Sequence, residues 1–296
     1  AGVTVAVLDT GIDAQHEAFR GKTIVQKDFT GEGDGDGNGH GTHCAGTVFG
    51  GEVAGQRIGV APGVGRALIG KVLNRRGSGS TEQLLDGVLW AAREGANVIS
   101  MSIGLDFPGL VKRLIDSGLQ VEPATSKALA AYRDNVRLFD KLAELLSAQS
   151  AMLSKTMIVA AGGNESRRPA FEIATAPPAA ADGIVAVGAV GRTGDALTDL
   201  RIATFSNTGP DIAAPGVGVV SAKVGGGVRA LDGTSMATPH VAGVTALWIE
   251  KIQERNPSFK MSEIEGRLVG QATSAMMAAD EDPADLGAGL VQAPRN

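Results

Sequence analysis

The sequence predicts an α/β fold in which a central, mostly parallel sheet lies between two layers of helices, a three-layer sandwich. Six short apolar runs, rich in Val, Ile and Ala, have the length and composition of buried strands: 3–8, 67–73, 97–103, 156–161, 184–190 and 217–222. Helical patterns separate many of these runs, at 42–49, 81–93, about 124–153 and 238–254. Strands that alternate with helices favour a parallel sheet covered on both faces.

The chain is predicted to form a single domain, 1–296, because a hydrophobic content of 43% supplies one large core and no linker interrupts it. No apolar stretch reaches membrane-spanning length, so we expect a soluble protein without a membrane partner. The net charge of −5 and the scattered Lys and Arg argue against a nucleic-acid partner. A single cysteine, Cys44, excludes an internal disulfide and leaves the compartment open, secreted or cytoplasmic.

Three side chains stand where a strand ends or a helix begins. Asp9 ends the first apolar strand, and His40 lies between two glycines where a helix could start. Ser235 precedes Pro239 and an apolar stretch. Since proline is tolerated in the first turn of a helix, Ser235 is predicted to lie at or just before a helix N-terminus. A carboxylate, an imidazole and a hydroxyl held in this way are the parts of a nucleophilic triad.

Each of these side chains also has a plainer interpretation. Ser235 could cap a helix, and His40 could be a loop residue beside the rival imidazole of His43. Asp13 competes with Asp9, although a residue that directly ends a strand is held more rigidly. The three together, in the chain order Asp, His, Ser, favour the triad.

Nearly the whole chain, 3–291, resembles the subtilisin-like serine proteases, or subtilases. Three runs are similar to the family signatures and follow the family order: VAVLDTGID around Asp9, GHGTHCAGT around His40 and GTSMATPHVAG around Ser235. The run VAAGGNE, which contains Asn164, resembles the oxyanion-hole segment of the family. The run SMSIG resembles the strand that pairs with bound substrate.

The resemblance implies a serine endopeptidase that hydrolyses polypeptides. Ser235 would be the nucleophile and His40 the base, with Asp9 orienting the imidazole. Asn164, which alone would be an ordinary loop residue, would stabilise the oxyanion together with the backbone N–H of Ser235. This chemistry needs no cofactor. The family also implies an N-terminal prosegment that assists folding.

Two segments are expected to bind substrate. One would pair an extended peptide as an added strand, or would simply be a buried strand: Ser102, Ile103 and Gly104. The other has small residues that would leave room for an apolar side chain before the scissile bond: Ala160, Ala161, Gly162 and the stretch near Ala176. Glu165 at the rim would favour a basic side chain, unless Arg167 and Arg168 screen it.

Metal binding stays open. The run 34–39, DGDGNG, is similar to the first half of a calcium loop, because oxygen ligands alternate before a glycine. Ala45 stands where such a loop needs a bidentate Glu, and a flexible acidic loop is the alternative. Many subtilases bind a structural calcium in a loop after the His helix. The aligned stretch here, 52–57, has Val53 in place of an oxygen ligand, so that site is predicted to be lost.

Residues 105–155 depart from the family pattern. An apolar stripe at helical spacing predicts an amphipathic helix over about 124–153: Leu129, Tyr132, Val136, Phe139 and Leu142. Before it, an insertion around 105–127 contains two expected turns, at 107–109 and 122–123, around a short helix. One hypothesis is that the insertion walls the non-primed side of the cleft and narrows substrate choice. The other is that it forms an extra helical layer far from the site.

Two further functions use the same residues. A peptide macrocyclase or transpeptidase would exclude water and let an amine resolve the acyl-enzyme, and such relatives carry added helices beside the cleft. A catalytically silent, peptide-binding relative would normally have lost a triad member or Asn164, and this chain retains all four.

Overall fold

The computed structural model describes residues 2–148, 155–192, 194 and 199–295. These residues form twelve strands, which in chain order are β1 (Thr4–Asp9), β2 (Thr23–Asp28), β3 (Glu52–Val53), β4 (Gln56–Arg57), β5 (Arg66–Lys71), β6 (Val98–Met101), β7 (Met157–Ala161), β8 (Ile184–Arg192), β9 (Leu200–Ile202), β10 (Ile212–Pro215), β11 (Val219–Ala222) and β12 (Val228–Leu231). Six α-helices accompany them: α1 (His40–Phe49), α2 (Thr81–Arg93), α3 (Phe107–Asp116), α4 (Val121–Ala148), α5 (Thr234–Gln253) and α6 (Met261–Gln271).

Eight strands form one sheet, in the order β10-β8-β7-β6-β1-β5-β2, with β9 paired to β8. Each neighbouring pair along this path is parallel, whereas β9 runs antiparallel to β8. Outside the sheet, β11 pairs with β12 and β3 with β4, each as an antiparallel hairpin. The mostly parallel sheet is therefore confirmed.

Alternate residues of β1 supply the two layers of core on either face of the sheet. Val5 and Val7 pack in a buried cluster that includes residues of α1, α5 and α6, such as Val48, Ile249 and Ile264. Ala6 and Leu8 pack on the other face with residues of α2 and α4, such as Val88 and Phe139. Because successive side chains of a strand point to opposite faces, a continuously apolar strand serves both layers. The result is the expected three-layer sandwich.

The carboxyl ends of the central strands meet at one edge of the sheet. Asp9 is in register with Lys71 of β5, and Met101 is in register with Ala160 of β7. Loops that follow these strands therefore come together, as expected for a ligand site in an open parallel sheet.

The predicted elements match the observed ones best where apolar runs are long. The prediction for α2 coincides with its observed bounds, and a capping box of Ser80 and Gln83 marks its start. The run 217–222 forms β11, but this strand lies in a hairpin outside the central sheet. The prediction missed one helix, α6, and six strands: β2, β3, β4, β9, β10 and β12. β2 is a half-buried edge strand with polar residues, the other five strands have two to four residues each, and α6 has few apolar residues.

The insertion forms a helical hairpin of α3 and the first turns of α4. The side chain of Asp106 caps α3 by accepting a hydrogen bond from the N–H of Gly109 at 2.7 Å. Both expected turns are wrong, because 107–109 forms the start of α3 and Pro123 lies in the first turn of α4. A proline in the first turn loses no helical hydrogen bond. The predicted continuation to residue 153 lies outside the described residues.

The apolar stripe predicted for α4 is partly wrong. Phe139 and Leu142 are buried, but Leu129 is 57% exposed. The N-terminal half of α4 instead buries Ala124 and Ala128. A hydrophobicity pattern gives too little weight to such small side chains. None of the described helices is long and apolar enough to span a bilayer.

Gly243 of α5 sets the distance between α5 and the segment that covers α1. A Cβ at this position would lie 2.6 Å from Cβ of Val60 and 3.4 Å from the carbonyl oxygen of Val48. We expect Gly243→Ala to destabilise the fold by about 1–3 kcal/mol through overpacking. The control is Gly266→Ala in α6, where nothing lies within 4 Å and a gain of about 0.5–1 kcal/mol is expected. Thermal unfolding of both variants gives the comparison, and equal Tm values would contradict it.

Candidate active site

Asp9 and His40 form a close pair at the carboxyl edge of the sheet. The ring Nδ1 of His40 lies 2.8 Å from Oδ1 and 2.9 Å from Oδ2 of Asp9. Asp9 is fully buried, whereas 27% of the His40 side chain is exposed. The N–H of Thr10 donates a further hydrogen bond to Oδ1 of Asp9 at 2.7 Å. The imidazole is therefore held at its Nδ1 edge. Asp13, the rival carboxylate, instead accepts hydrogen bonds from the backbone N–H groups of Gln15 and Gly225.

The surroundings of His40 favour its protonated form. Burial lowers the pKa of His40, but the charge and hydrogen bond of Asp9, together with Cys44, raise it, and the resulting pKa lies well above the usual value of 6.5. Burial raises the pKa of the Cys44 thiol, so the thiol stays neutral. The carboxylate of Asp9 is therefore the charge that raises the pKa of His40. An imidazolium in contact with a buried carboxylate is the ion pair that forms when a triad histidine has taken a proton.

The start of α1 is built around Asp36 and a glycine. Oδ1 of Asp36 accepts hydrogen bonds from Thr10 Oγ1, Asn38 N and Gly39 N, and Oδ2 accepts from Thr42 N and Oγ1. Asp36 therefore caps the helix that begins at His40. The loop with calcium-like spacing therefore caps a helix, because the Asp36 carboxylate already accepts five hydrogen bonds from the protein.

Close packing of α1 against the turn after β1 requires glycine at position 41. A Cβ on Gly41 would collide with the carbonyl oxygen of Gly11 and lie 3.2 Å from Cβ of Asp9. The glycine after His40 thus lets the helix begin directly against the turn that follows β1. This close approach brings the His40 ring to the Asp9 carboxylate.

His43 has a structural role. It is fully buried, and its Nε2 donates to the carbonyl oxygens of Val219 at 3.0 Å and Arg229 at 3.2 Å. Burial lowers the pKa of His43 to about 4, so the ring is neutral at pH 7. It connects α1 to the hairpin of β11 and β12 and does not face Asp9.

Ser235 is the second residue of α5, and Pro239 is the sixth. Pro239 was expected in the first turn of the helix but lies about two residues beyond it. The proline has no N–H for the carbonyl of Ser235 four residues earlier. That carbonyl instead accepts from Oγ of Ser102 at 2.8 Å and Sγ of Cys44 at 3.4 Å.

The Ser235 hydroxyl is hydrogen-bonded to the end of β6. It donates to the carbonyl oxygen of Ser102 at 3.3 Å, and within the described residues it makes no hydrogen bond with His40. Sγ of Cys44 lies 3.8 Å from Nδ1 of His40 and 3.4 Å from the Ser235 carbonyl, so the two residues share a neighbour. Hydrogen bonds between a nucleophile and its base are often long or absent without substrate and tighten only in the complex.

The side chain of Asn164 has a defined orientation. Its Oδ1 accepts hydrogen bonds from the N–H of Thr234 at 2.8 Å and from Thr234 Oγ1 at 3.0 Å. Within the described part of the chain, Nδ2 has no partner. The amide group therefore presents two N–H donors beside the start of α5, where the Ser235 N–H also lacks a helical partner.

The expected substrate segment begins where β6 ends. Ser102 is buried against Ser235, Ile103 is half-buried, and Gly104 is exposed with open space around its Cα. On the other side, Ala160, Ala161 and Gly162 are buried, and the N–H of Ala176 donates to the Gly162 carbonyl at 3.0 Å. The segment near Ala176 thus lies against the residues expected to form the pocket.

The helical insertion contacts this same pocket segment. The N–H of Leu105 donates to the Pro177 carbonyl at 2.8 Å, and the Tyr132 hydroxyl donates to the Thr175 carbonyl at 2.9 Å. Phe107 meets the Tyr132 ring edge to face, with 5.9 Å between centroids. The insertion therefore contacts the loop behind the expected pocket directly at Leu105, and through Phe107 it contacts Tyr132, a later residue of α4 that bonds to the same loop.

The carboxylate of Glu165 is engaged within the protein. Its Oε2 accepts from the N–H of Asn164 at 2.9 Å and from Nδ2 of Asn207 at 2.7 Å. The neighbouring guanidinium of Arg167 donates to the carbonyl of Asn164 at 2.9 Å. Sequence reasoning missed Asn207 and Thr234, both of which hold the segment around Asn164.

The stretch 52–57 forms a tight hairpin. Val53 pairs with Gln56 across a two-residue turn in which Ala54 and Gly55 have positive φ angles of 49° and 81°. Val53 is buried, so its side chain packs in the core. Among the described residues, the group of three potential metal ligands closest together is Asp9, His40 and Cys44, and His40 Nδ1 there is already bonded to Asp9.

A separate groove of about 1280 Å³ lies between the C-terminal part of α4, α6 and the loop after β7. Its lining includes Lys155, Ala181, Phe259 and Leu268. None of the four expected catalytic residues lines it. The size of a cavity therefore does not identify the reactive centre of this chain.

Comparison with known proteins gives one consistent family. The model of the subtilase family matches residues 1–289. An intracellular serine protease of Paenibacillus polymyxa is 32% identical over 298 residues, which cover 98% of this chain and 78% of the relative. Subtilisin DY of Bacillus licheniformis is 35% identical over 280 residues, 93% of this chain and 85% of the relative.

Solved structures show the same fold. The protease domain of PatA, determined as a serine-to-alanine mutant, has a TM-score of 0.68 and 25% identity, covering 98% of this chain and 92% of that one. A cold adapted subtilisin-like serine proteinase has a TM-score of 0.66 and 29% identity, covering 98% of this chain and 86% of that one.

Titration of the histidines tests the electrostatics of the site. We expect His40 to titrate well above 6.5 and His43 near 4 in NMR spectra of the Ser235→Ala variant. Because the folded pKa of His40 is raised, its protonation stabilises the fold below the unfolded value near 6.5, and this contribution is lost as the pH rises through the folded pKa. His43 has the opposite sign and destabilises the fold as the pH falls from 6.5 towards 4.

The control for this titration is Asp9→Asn in the same background. Loss of the carboxylate should lower the pKa of His40 and leave that of His43 unchanged. A His40 ring that titrates at or below 6.5 with Asp9 intact would contradict the ion pair.

Proposed function

The chain belongs to the subtilase family, and on that basis we propose that it is a serine endopeptidase acting through Asp9, His40 and Ser235, with Asn164 in the oxyanion hole. The observation that carries the proposal is the contact of His40 Nδ1 with the buried Asp9 carboxylate at 2.8 Å. It leaves Nε2 as the ring nitrogen that takes a proton, because Nδ1–H is donated to Asp9.

In the proposed first step, Ser235 Oγ attacks the carbonyl carbon of a peptide bond. A bond forms between Oγ and that carbon, while the hydroxyl proton moves to Nε2 of His40. His40 accepts this proton in its neutral form, and because its pKa is raised that form becomes abundant only at pH values above the usual 6.5. Asp9 then stabilises the imidazolium that results. The hydroxyl first has to leave the Ser102 carbonyl, to which it is bonded at 3.3 Å.

The oxyanion that forms would receive two donors. One is Nδ2 of Asn164, whose orientation is set by the two hydrogen bonds from Thr234 to Oδ1. The other is the Ser235 N–H in the first turn of α5. Removing one such donor in a subtilisin lowers kcat by about 10²–10³, so Asn164 is expected to matter greatly.

The intermediate then collapses to products in two stages. The carbon–nitrogen bond breaks as His40 returns its proton to the leaving amine, which gives an acyl-enzyme on Ser235. Water attacks the ester in the same way, with His40 as base, and releases the acid. No cofactor takes part in this chemistry, as in subtilases generally.

Calcium is common among subtilases, but the residues of the 34–39 loop do not fit an ion. Both oxygens of Asp36 accept protein hydrogen bonds, and Asp34 is exposed. The hairpin at 52–57 presents Val53 to the core. We therefore assign no step and no stabilising role to calcium at these two places.

The proposed substrate is an extended polypeptide. Its backbone would pair with Ser102, Ile103 and Gly104, which leave an open edge after β6. The side chain before the scissile bond would lie against the small residues Ala161 and Gly162.

A peptide macrocyclase or transpeptidase is the second candidate, favoured by the helical insertion beside the pocket loop. An amine would replace water in the second stage, and Ser235, His40 and Asp9 would keep their roles. A silent peptide-binding protein is disfavoured because Asp9 and His40 are paired and Asn164 is oriented for donation.

Active-site labelling tests the proposed nucleophile. We expect a fluorophosphonate to label the wild-type chain once, as read by intact mass, and to leave Ser235→Ala unlabelled. The control is Ser221→Ala, which alters a buried serine bonded to the His43 carbonyl. Labelling of Ser235→Ala, or none of a folded wild type, would count against the triad. Mass spectra of peptide products then separate hydrolysis from cyclisation or ligation.

We further propose that the insertion walls the non-primed side of the cleft through its contacts with the pocket loop. The double variant Phe107→Ala, Tyr132→Phe removes the ring contact and the hydrogen bond to Thr175. We expect it to broaden the peptide preference before the scissile bond, measured with a peptide library. Leu145→Ala, a 43% exposed position on α4, is the control. Identical cleavage profiles in all three proteins would eliminate the proposal.

A further inference from the structure

A buried asparagine lies between the oxyanion segment and the pocket loop. Asn207 follows β9 and β8 in the chain and is 1% exposed. Its Oδ1 accepts hydrogen bonds from the N–H groups of Glu165 at 3.0 Å and Ser166 at 3.1 Å, and from Ser166 Oγ at 3.2 Å. This one oxygen thus holds the two residues that follow Asn164.

The amide nitrogen of Asn207 serves three acceptors on two segments. It lies 2.7 Å from Oε2 of Glu165 and 3.2 Å from the carbonyl of Gly162, both in the oxyanion segment. It also lies 3.2 Å from the carbonyl of Ala174, in the loop that leads to the pocket. A buried side chain with partners on both of its polar atoms has one orientation, because any rotation would leave groups unpaired.

These contacts determine the backbone on which Asn164 stands. Oε2 of Glu165, held by Asn207, accepts the N–H of Asn164 at 2.9 Å. Gly163 has a φ of 115°, and a Cβ there would collide with Nδ2 of Asn207. The N–H of Asn207 itself donates to the carbonyl of Gly163 at 3.2 Å. Asn164 is therefore held by Asn207 on its backbone side and by Thr234 on its side-chain side.

We propose that Asn207 is a positioning residue that places the Asn164 donor and links it to the pocket loop. The inference rests on the proposed function of Asn164. An oxyanion donor works within a few tenths of an ångström, and an error of 1 Å in placement can cost about 10²-fold in rate. The hydrogen bond from Asn207 to the Ala174 carbonyl connects the loop that leads to the pocket with the segment that carries the Asn164 donor. Asn207 itself touches neither substrate nor the reacting atoms.

A double-mutant cycle separates positioning from a merely structural role. We expect Asn207→Ala to lower kcat roughly 10–10²-fold with a small change in KM, because the donor acts in the transition state. In the Asn164→Ala background the same substitution should change kcat by no more than about twofold, since independent effects would instead add. Asn135→Ala, which removes a side chain with hydrogen bonds on α4 and α2, is the matched control and should leave kcat unchanged.

A polarity swap keeps the test decisive if Asn207→Ala does not fold. Asn207→Asp places a second carboxylate against Glu165 and should lower kcat, and Glu165→Gln in the same chain should restore part of it by supplying a new donor. Full additivity with Asn164→Ala, or a wild-type kcat in folded Asn207→Ala, would overturn the inference. If Asn164→Ala alone leaves kcat unchanged while Ser235 labelling persists, the assigned oxyanion role fails instead, and the inference falls with it.

Discussion

The buried charge of Asp9 is the constraint on which the rest of the site depends. A carboxylate that is fully removed from solvent is very costly unless hydrogen bonds and an opposite charge compensate it. The N–H of Thr10 and the ring of His40 supply that compensation at the end of β1. Because position 41 is glycine, α1 can begin close enough for the imidazole to reach the carboxylate. The contact that compensates the buried charge of Asp9 is therefore also the contact that orients the His40 ring.

Two helix starts hold His40 and Ser235, the proposed base and the proposed nucleophile. Asp36 caps α1 at His40, and Thr234 begins α5 beside Asn164. Pro239 leaves the carbonyl of Ser235 free, and Ser102 fills the gap with a hydrogen bond that ties α5 to the end of β6. Pro239 thus removes one hydrogen bond within α5, and the carbonyl that it leaves joins α5 to the segment expected to bind substrate.

The sequence predicted elements well where burial follows hydrophobicity and poorly where contacts between distant segments decide. α2 was predicted at its observed bounds because its apolar face and its cap are local. Leu129 was expected to be buried but is exposed, whereas Ala124 and Ala128 on the same part of α4 are buried. Asp36 resembled a cation ligand because a capping carboxylate and a calcium ligand have the same residue type and glycine neighbours.

By itself the sequence determined the family, the layered fold and the four side chains expected to carry the chemistry, because each lies in a short continuous motif. Only the tertiary structure decided how each is held. Asn164 and Thr234 are 70 positions apart, and Ser166 and Asn207 are 41 apart. Such hydrogen bonds join loops that meet only when the parallel sheet has formed, and no local pattern of polarity or spacing records them.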